Sequence, residues 1–307
     1  GFTSTQDNIG EVESDGVEVD VDLNMFKILP LSVDGLSWSS RINFTKSESI
    51  VTKQEDEQIL FGGGQDIGNV AIEGFPLGTI VGGRIERNDD GDYVVNAAGD
   101  YNTEFTIAID DNGNEVPLGT EGSRQINAIL GNPEPDFVMN YINSINYKNF
   151  TLGFHFQHIS GGDMYSSTIA VLLGRGNVRS DRRETFILDG VNADGSPNTI
   201  LINNSQYYFT NILNGPAELS VFDASVIRLQ EVSFAYAFPQ KFLDKTPFGE
   251  LSLTFAGYNL WHDAYNTPKE VNFDPNVAGG GIGNARGIDY MNGPSTKRYG
   301  VSLKASF

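Results

Sequence analysis

The sequence predicts an all-β fold, a transmembrane antiparallel β-barrel wall with long external loops. Three observations carry this. Apolar and polar residues alternate with a period of two in seven segments, so each segment presents one greasy and one wet face. The connections between those segments are alternately short and long, as in a barrel with tight turns at one rim and long loops at the other. The final segment, Tyr299, Val301, Leu303, Ala305 and Phe307 against Gly300, Ser302, Lys304 and Ser306, ends on an aromatic residue suited to an interfacial girdle.

The segments follow in order. Val17, Val19, Val21, Leu23 and Met25 oppose Glu18, Asp20, Asp22 and Asn24. Three carboxylates on one face exclude lipid or a dry core on that side and point to water. Leu36, Trp38, Ser40, Ile42 and Phe44 form the second stripe. The stretch from Lys46 to Pro135 reads as an external loop, in which Ile80 to Arg87 and Asp92 to Asn96 are expected to form hairpins extending the membrane strands. Phe137, Met139, Tyr141, Ile145 and Tyr147 share a face, with Asn143 out of keeping. Phe150, Leu152, Phe154 and Phe156 follow after only Lys148 and Asn149, so a two-residue turn sets Tyr147 opposite Phe150.

Ser160 to Ser225 reads as a second loop, with turn signals at Asp189-Gly190 and Asp194-Gly195. Val232, Phe234, Tyr236 and Phe238 then alternate, but Ile227 and Leu229 have the opposite parity. A bulge near Gln230–Glu231 reconciles them. Pro239 to Glu250 is a connector with one helical turn expected at Phe242–Leu243. Leu251, Leu253 and Phe255 make the sixth strand, closed by Trp261, and Asn266 to Ser295 is a Gly- and Pro-rich loop.

Short connections follow Met25, Tyr147 and Phe238, and long ones follow Phe44, Gln157 and Trp261. If the short turns are periplasmic, the C-terminus is periplasmic and the long loops are extracellular. Seven strands leave two open edges, whereas closed bacterial single-chain barrels use even numbers. Either a strand pair is hidden in the loops or the chain is one part of a larger wall.

Bulk properties narrow the function classes. The net charge of −20 over 307 residues argues against nucleic acid as a partner. The absence of cysteine removes disulfides and thiolate sites. No apolar run is long enough for a membrane-spanning helix. The chain opens Gly1-Phe2-Thr3 without a leader, so a mature or internal fragment of something longer is expected.

Several motifs resemble the SusC/RagA family of TonB-dependent outer-membrane transporters. Val226 to Pro239, with Arg228-Leu229, Glu231-Val232-Ser233, Tyr236 and Pro239, is similar to that family's signature near the chain end. Gly257-Tyr258-Asn259-Leu260-Trp261, Phe273-Asp274-Pro275 and Pro294-Ser295-Thr296 match further pieces, although Asn276 stands where the family usually has Glu. Gly131 to Phe137 (GNPEPDF), Tyr147 to Phe150, Asp189 to Gly195, and Asn8 to Glu13 with Gly16 to Glu18 also fit.

The resemblance implies that residues 1–307 are the C-terminal portion of a 22-stranded barrel, with the plug and N-terminal segments outside this chain. It implies nutrient import of glycan or peptide oligomers with a SusD-like surface lipoprotein, driven by the TonB complex through the plug. Its surroundings would be outer-membrane lipid and lipopolysaccharide of a Gram-negative bacterium. A non-transporting surface protein, an adhesin or a structural component of an envelope machine on the same barrel, is the alternative.

No nucleophile–base–orienter set appears, so no catalytic residue and no enzyme activity is expected. No substrate-binding residue can be named. His155 is expected to face the lumen, His158 has the opposite parity and is expected to leave the membrane there, and His262 stands apart. Their spacing does not suit a metal pair. Asp110, Asn112 and Asn114 offer oxygens, with Asp111 and Glu115 nearby, but Gly113 is misplaced for a calcium loop. Solvated turns are the expectation there, as for Asp89, Asp90 and Asp92, with calcium the lesser alternative. Arg175, Arg179, Arg182 and Arg183 form a basic cluster suited to lipopolysaccharide phosphate or an acidic partner. Tyr207, Tyr208 and Phe209 suit sugar stacking or loop packing. Tyr299, Val301, Leu303, Ala305 and Phe307 are the expected assembly signal of the barrel-terminal strand.

Overall fold

The computed structural model describes residues 10–29, 33–55, 58–63, 66–176, 185–277 and 285–307. Its frame is a seven-stranded sheet whose members lie side by side in chain order. They are β1 (Gly10–Asn24), β2 (Leu36–Gln54), β3 (Phe137–Tyr147), β4 (Phe150–Ser160), β5 (Val226–Ala237), β6 (Glu250–Asp263) and β7 (Arg298–Ser306). Every neighbouring pair is antiparallel. The sheet does not close: among the described residues the outer edges of β1 and β7 are unpaired, as in a partial barrel.

The register makes the two faces explicit. Val21, Ile42, Tyr141, Phe156, Leu229 and Trp261 form one row across six strands. One residue along, Asp20, Asn43, Asn140, Gln157, Arg228 and His262 form the row on the other face. The apolar face is uncovered: Phe255 is 51% exposed, Val301 67% and Leu303 66%. An exposed apolar surface of this extent needs a non-aqueous neighbour, and lipid supplies one. An eleven-residue strand such as β3 is about 36 Å long, and at a tilt of about 45° it stands about 25 Å high, the height of a bilayer's apolar band.

Two local expectations hold. Tyr147 pairs with Phe150, and Lys148 takes the left-handed conformation (φ 54°) that the two-residue turn requires. Gln230 is the extra residue of a bulge against β4, since Leu229 and Glu231 pair with the adjacent residues Phe156 and His155; against β6 the same two pair with Trp261 and Tyr258, so there the additional residue is on β6. Asn143, out of keeping on the apolar face, is enclosed: its Oδ1 accepts from Trp38 Nε1 at 2.9 Å and from Ser40 Oγ at 2.5 Å.

The loops depart from expectation. β1 begins six residues before Gly16, and β2 runs on to Gln54, so this hairpin projects past the rim where Phe44 was expected to end it. β6 likewise continues past Trp261 to Asp263. The hairpin around residues 88–91 exists, with Arg87 bridging Tyr93, but it extends no membrane strand. Thr79–Gly82 belongs instead to a separate four-stranded sheet.

The first long loop thus folds on its own core of Val70, Ile72, Val81, Ile107, Ile109, Ile126 and Ala128. The second holds a helix, Ser167–Gly174, capped by Ser166 Oγ, which accepts from Ile169 N at 3.2 Å. Its Met164 and Ile169 pack with Phe273 of the third loop. These apolar runs span about four residues between glycines, too short to show a period. The helical turn at Gln240–Leu243 lies where the connector was expected to make one.

Candidate site at the long-loop rim

The wet face of the wall carries a continuous polar ladder. Gln230 Nε2 donates to Gln157 Oε1 at 2.8 Å, Gln157 Nε2 to Asn140 Oδ1 at 3.3 Å, and Asn140 Nδ2 to Asn43 Oδ1 at 3.4 Å. The bulge lets Gln230 join this line without turning its neighbours' apolar side chains inward. His155 Nε2 also meets Asn140 Oδ1 at 2.9 Å, on the lumenal side as expected. Arg41 closes the ladder near β1 with an ion pair to Asp20.

Above the ladder the three long loops converge. Arg228 on β5 faces inward and is 1% exposed; its guanidinium lies 3.0 Å from Asp274 Oδ1 in the third loop. The same loop is held a second time where His262 Nε2 meets the Asn272 carbonyl at 3.3 Å. Arg286, also in the third loop, donates to Glu134 Oε1 at 2.8 Å, and Glu134 Oε2 accepts from Ser49 N. Asn69 Nδ2 of the first loop donates to the Arg286 carbonyl at 3.0 Å. A cavity of about 330 Å³ lies among Pro133, Pro135, Asp163, Arg228, Pro275 and Arg286.

The segment from Gly131 to Asp136 is shaped by this convergence. Asp163 Oδ2 accepts from Asn132 N at 2.8 Å, and a Cβ on Gly131 would meet that carboxylate at 2.5 Å. Gly161 has a left-handed φ of 73°, and a side chain there would strike Asp136. Burial pushes the Asp163 carboxyl above its ordinary range, with Asp223 and Asp136 adding to the shift and the Asn132 N–H opposing it.

Three stretches that the sequence offers as separate motifs, Gly131–Phe137, Arg228-Leu229 and Phe273–Pro275, thus meet in one place. The Arg228–Asp274 pair was not foreseen. The available signal was a single arginine at an inward position of an otherwise uncharged strand end.

The other singled-out residues lie elsewhere. His158 has the parity opposite to His155, as expected. β4 continues to Ser160, and the ring stays on the apolar face, edge-on to Phe137 and 2.9 Å from the Tyr265 hydroxyl. The Asp110 carboxylate is turned into its own loop, accepting from the backbone N–H of Asn112 and Asn114, which hold it below the usual carboxylate range. Arg175 donates to the Tyr208 hydroxyl at 2.9 Å and lies over its ring. Arg179, Arg182 and Arg183 fall outside the described residues. Tyr207 packs edge-on to Phe186, Tyr208 is buried, and Phe209 is exposed. Tyr299, Val301, Leu303 and Phe307 lie along the exposed final strand and its end.

A two-faced sheet with long folded loops at one rim and open edges at both sides defines a class: a section of an outer-membrane-type β-barrel wall. The relatives place it more closely. The chain is similar over its whole length to TonB-dependent receptor P3 and TonB-dependent receptor P26 of Formosa agariphila, at 25% identity over 324 residues and 24% over 334. It spans 30% of each relative's length and matches a C-terminal portion. The RagAB peptide transporter superposes with a TM-score of 0.58 at 14% identity, covering all of this chain and 30% of that one. The RagAB peptide importer in its closed-closed state gives 0.56 at 15%, covering 98% of this chain and 30% of that one. At these identities the solved structures show the shared fold alone. No protein-family model matches. The resemblance to SusC/RagA-type TonB-dependent transporters is borne out, and the wall is of the outer-membrane kind.

Proposed function

We propose that the chain is the C-terminal wall section of a SusC-like TonB-dependent importer. The observation that carries this reading is the combination of an uncovered apolar face with a continuous polar ladder on the reverse, in a chain matched end to end by TonB-dependent receptors. The open edges of β1 and β7 pair with the preceding strands of the same barrel, and a plug fills the lumen. The long loops are extracellular and the C-terminus periplasmic. A SusD-like lipoprotein meets the loops, and the TonB complex acts through the plug. Glycan or peptide oligomers are the cargo, with lipid and lipopolysaccharide around the wall.

The terminal strand, with Tyr299, Val301, Leu303, Ala305 and Phe307 on its lipid side, serves as the assembly signal. The test is uptake in cells expressing the full-length protein, with and without a working TonB complex. Uptake of an oligomeric nutrient that requires both supports the reading. Surface expression with no TonB-dependent uptake of any glycan or peptide overturns it in favour of a non-transporting surface protein.

A further inference from the structure

The apolar side of the wall is dented at one place. Gly257 on β6 stands in the row Phe154, Val232, Gly257 and Tyr299, where every other member carries an apolar side chain. The missing side chain opens a groove of about 390 Å³, walled by Val232, Phe234, Phe255, Leu260, Tyr299 and Val301. Ala256 and Gly300 also line it. By alternation they belong to the wet face, so they floor the groove with main chain alone.

The local sequence builds this dent. Between the pairs Glu231–Tyr258 and Leu229–Trp261, β6 carries one more residue than β5, and Asn259 takes a left-handed φ of 54° within that bulge. Leu260 is brought down beside Gly257, where a Cβ would meet its Cδ2 at 2.9 Å. The run Gly257-Tyr258-Asn259-Leu260-Trp261 therefore keeps the groove open and sets its upper wall.

The lining narrows the occupant. The walls are apolar, and β6 and β7 pair with each other along the floor. A peptide backbone lying there would leave its polar groups unanswered, whereas a methylene chain loses nothing and gains close packing. The other end of the occupant is set by charge. Lys297 directly precedes β7 and continues its alternation on the side of Tyr299 and Val301, at the long-loop end of the groove. It is exposed and has no acidic partner among the described residues. Trp261 and Tyr299, both exposed on this side, stand at the same end as members of an interfacial girdle. An apolar slot topped by a free cation at the interface fits an acyl chain whose headgroup bears phosphate.

We propose that this groove seats one acyl chain of lipid A, with a lipid A phosphate on Lys297. The inference rests on the importer reading for the orientation of the wall, since long loops outside turn this end of the groove toward the lipopolysaccharide leaflet. It goes beyond general lipid surroundings to a single held lipid.

The test uses the full-length protein, extracted from outer membranes in detergent and washed, with bound lipid identified by native mass spectrometry. Val232→Phe fills the groove from its wall. Lys297→Gln removes the cation at an exposed position. Val21→Phe makes the same apolar enlargement on β1, away from the groove. The expected result is lipid A retained by the wild type and by Val21→Phe, lost from Val232→Phe, and reduced about fivefold in Lys297→Gln, the effect of one lysine beside an anionic headgroup. Should Val232→Phe fail to fold, Lys297→Gln against Val21→Phe still decides. Equal retention in all the proteins, no lipid A on the washed wild type, or a phospholipid held in its place overturns the proposal. So does a dimer that Val232→Phe disperses, which would make a second copy the occupant. Retention needs neither cargo nor the TonB complex. Uptake absent with lipid A retained therefore counts against the importer reading alone, and uptake present without retained lipid A counts against the groove alone.

Discussion

Arg228 in the wall and Asp274 in the third long loop form an ion pair 3.0 Å long, with both side chains almost completely enclosed. Forty-six residues separate them in sequence, and with His262 they tie the loop to the inner face of the barrel. Removing one partner strands the other. Arg228→Ala or Asp274→Ala is expected to cost about 3–5 kcal/mol, while the double replacement, Arg228→Met with Asp274→Leu, sits much closer to neutral. Unfolding of the full-length protein in detergent, compared across the three variants, measures this. A double replacement that costs the sum of the two single losses would show that the partners are not coupled.

Asn143 makes a second case of a polar side chain that depends on its neighbours. It stands on the lipid-facing side, and its Oδ1 accepts from both Trp38 and Ser40. Asn143→Leu leaves those donors unsatisfied and should cost about 1–3 kcal/mol. The emission of Trp38, taken as the difference between the protein and its Trp38→Phe variant, reports on the site directly. A shift in that emission on replacing Asn143 is expected, and unchanged emission would mean that the hydrogen bond is not made.

The two faces predict opposite tolerances. Phe255→Arg places a charge on the apolar side and should cost about 2–4 kcal/mol near the middle of the bilayer. Thr254→Arg, one residue away on the wet side, should cost far less. The folded fraction recovered in lipid vesicles gives the comparison.

Around Asp163 the pH dependence has a definite sign. Burial raises its carboxyl pKa in the folded protein above the ordinary 3.8, so the folded state holds its proton more tightly than the unfolded chain. The associated stability is fully present below about pH 3.8 and is lost as pH rises through the raised value. Asp163→Asn retains an acceptor for the Asn132 N–H and removes the titration. Opening free energies of the rim amides from hydrogen exchange should fall with rising pH in the wild type across that interval and flatten in the variant.

The wall was legible from sequence because its signal repeats. Alternation over five or more residues, as in Val17 to Met25 or Phe150 to Phe156, survives without tertiary help. The bulge at Gln230 was legible because a parity switch has few other causes. The loop cores were not legible. Val70, Ile72 and Val81 sit in runs broken by glycine, and Ile107 and Ile126 join them only through contacts distant in sequence. The rim cavity was hidden for the same reason, since its Arg228, Pro275 and Arg286 come together from the wall and the third loop. His158 has the parity read from the sequence, opposite to His155, and its polar ring is accommodated on the apolar side by Phe137 and the Tyr265 hydroxyl.

The central claim is that one face of this sheet meets lipid and the other meets water. Spin labels placed singly along β4 and β7 of the full-length protein in bilayers test it most directly. Labels at 152, 154, 301 and 303 should be relaxed by oxygen, which partitions into lipid, and labels at 151, 153, 302 and 304 by a water-soluble nickel chelate, with a period of two. A uniform response along either strand, or oxygen contact at the even positions of β7, would contradict the account.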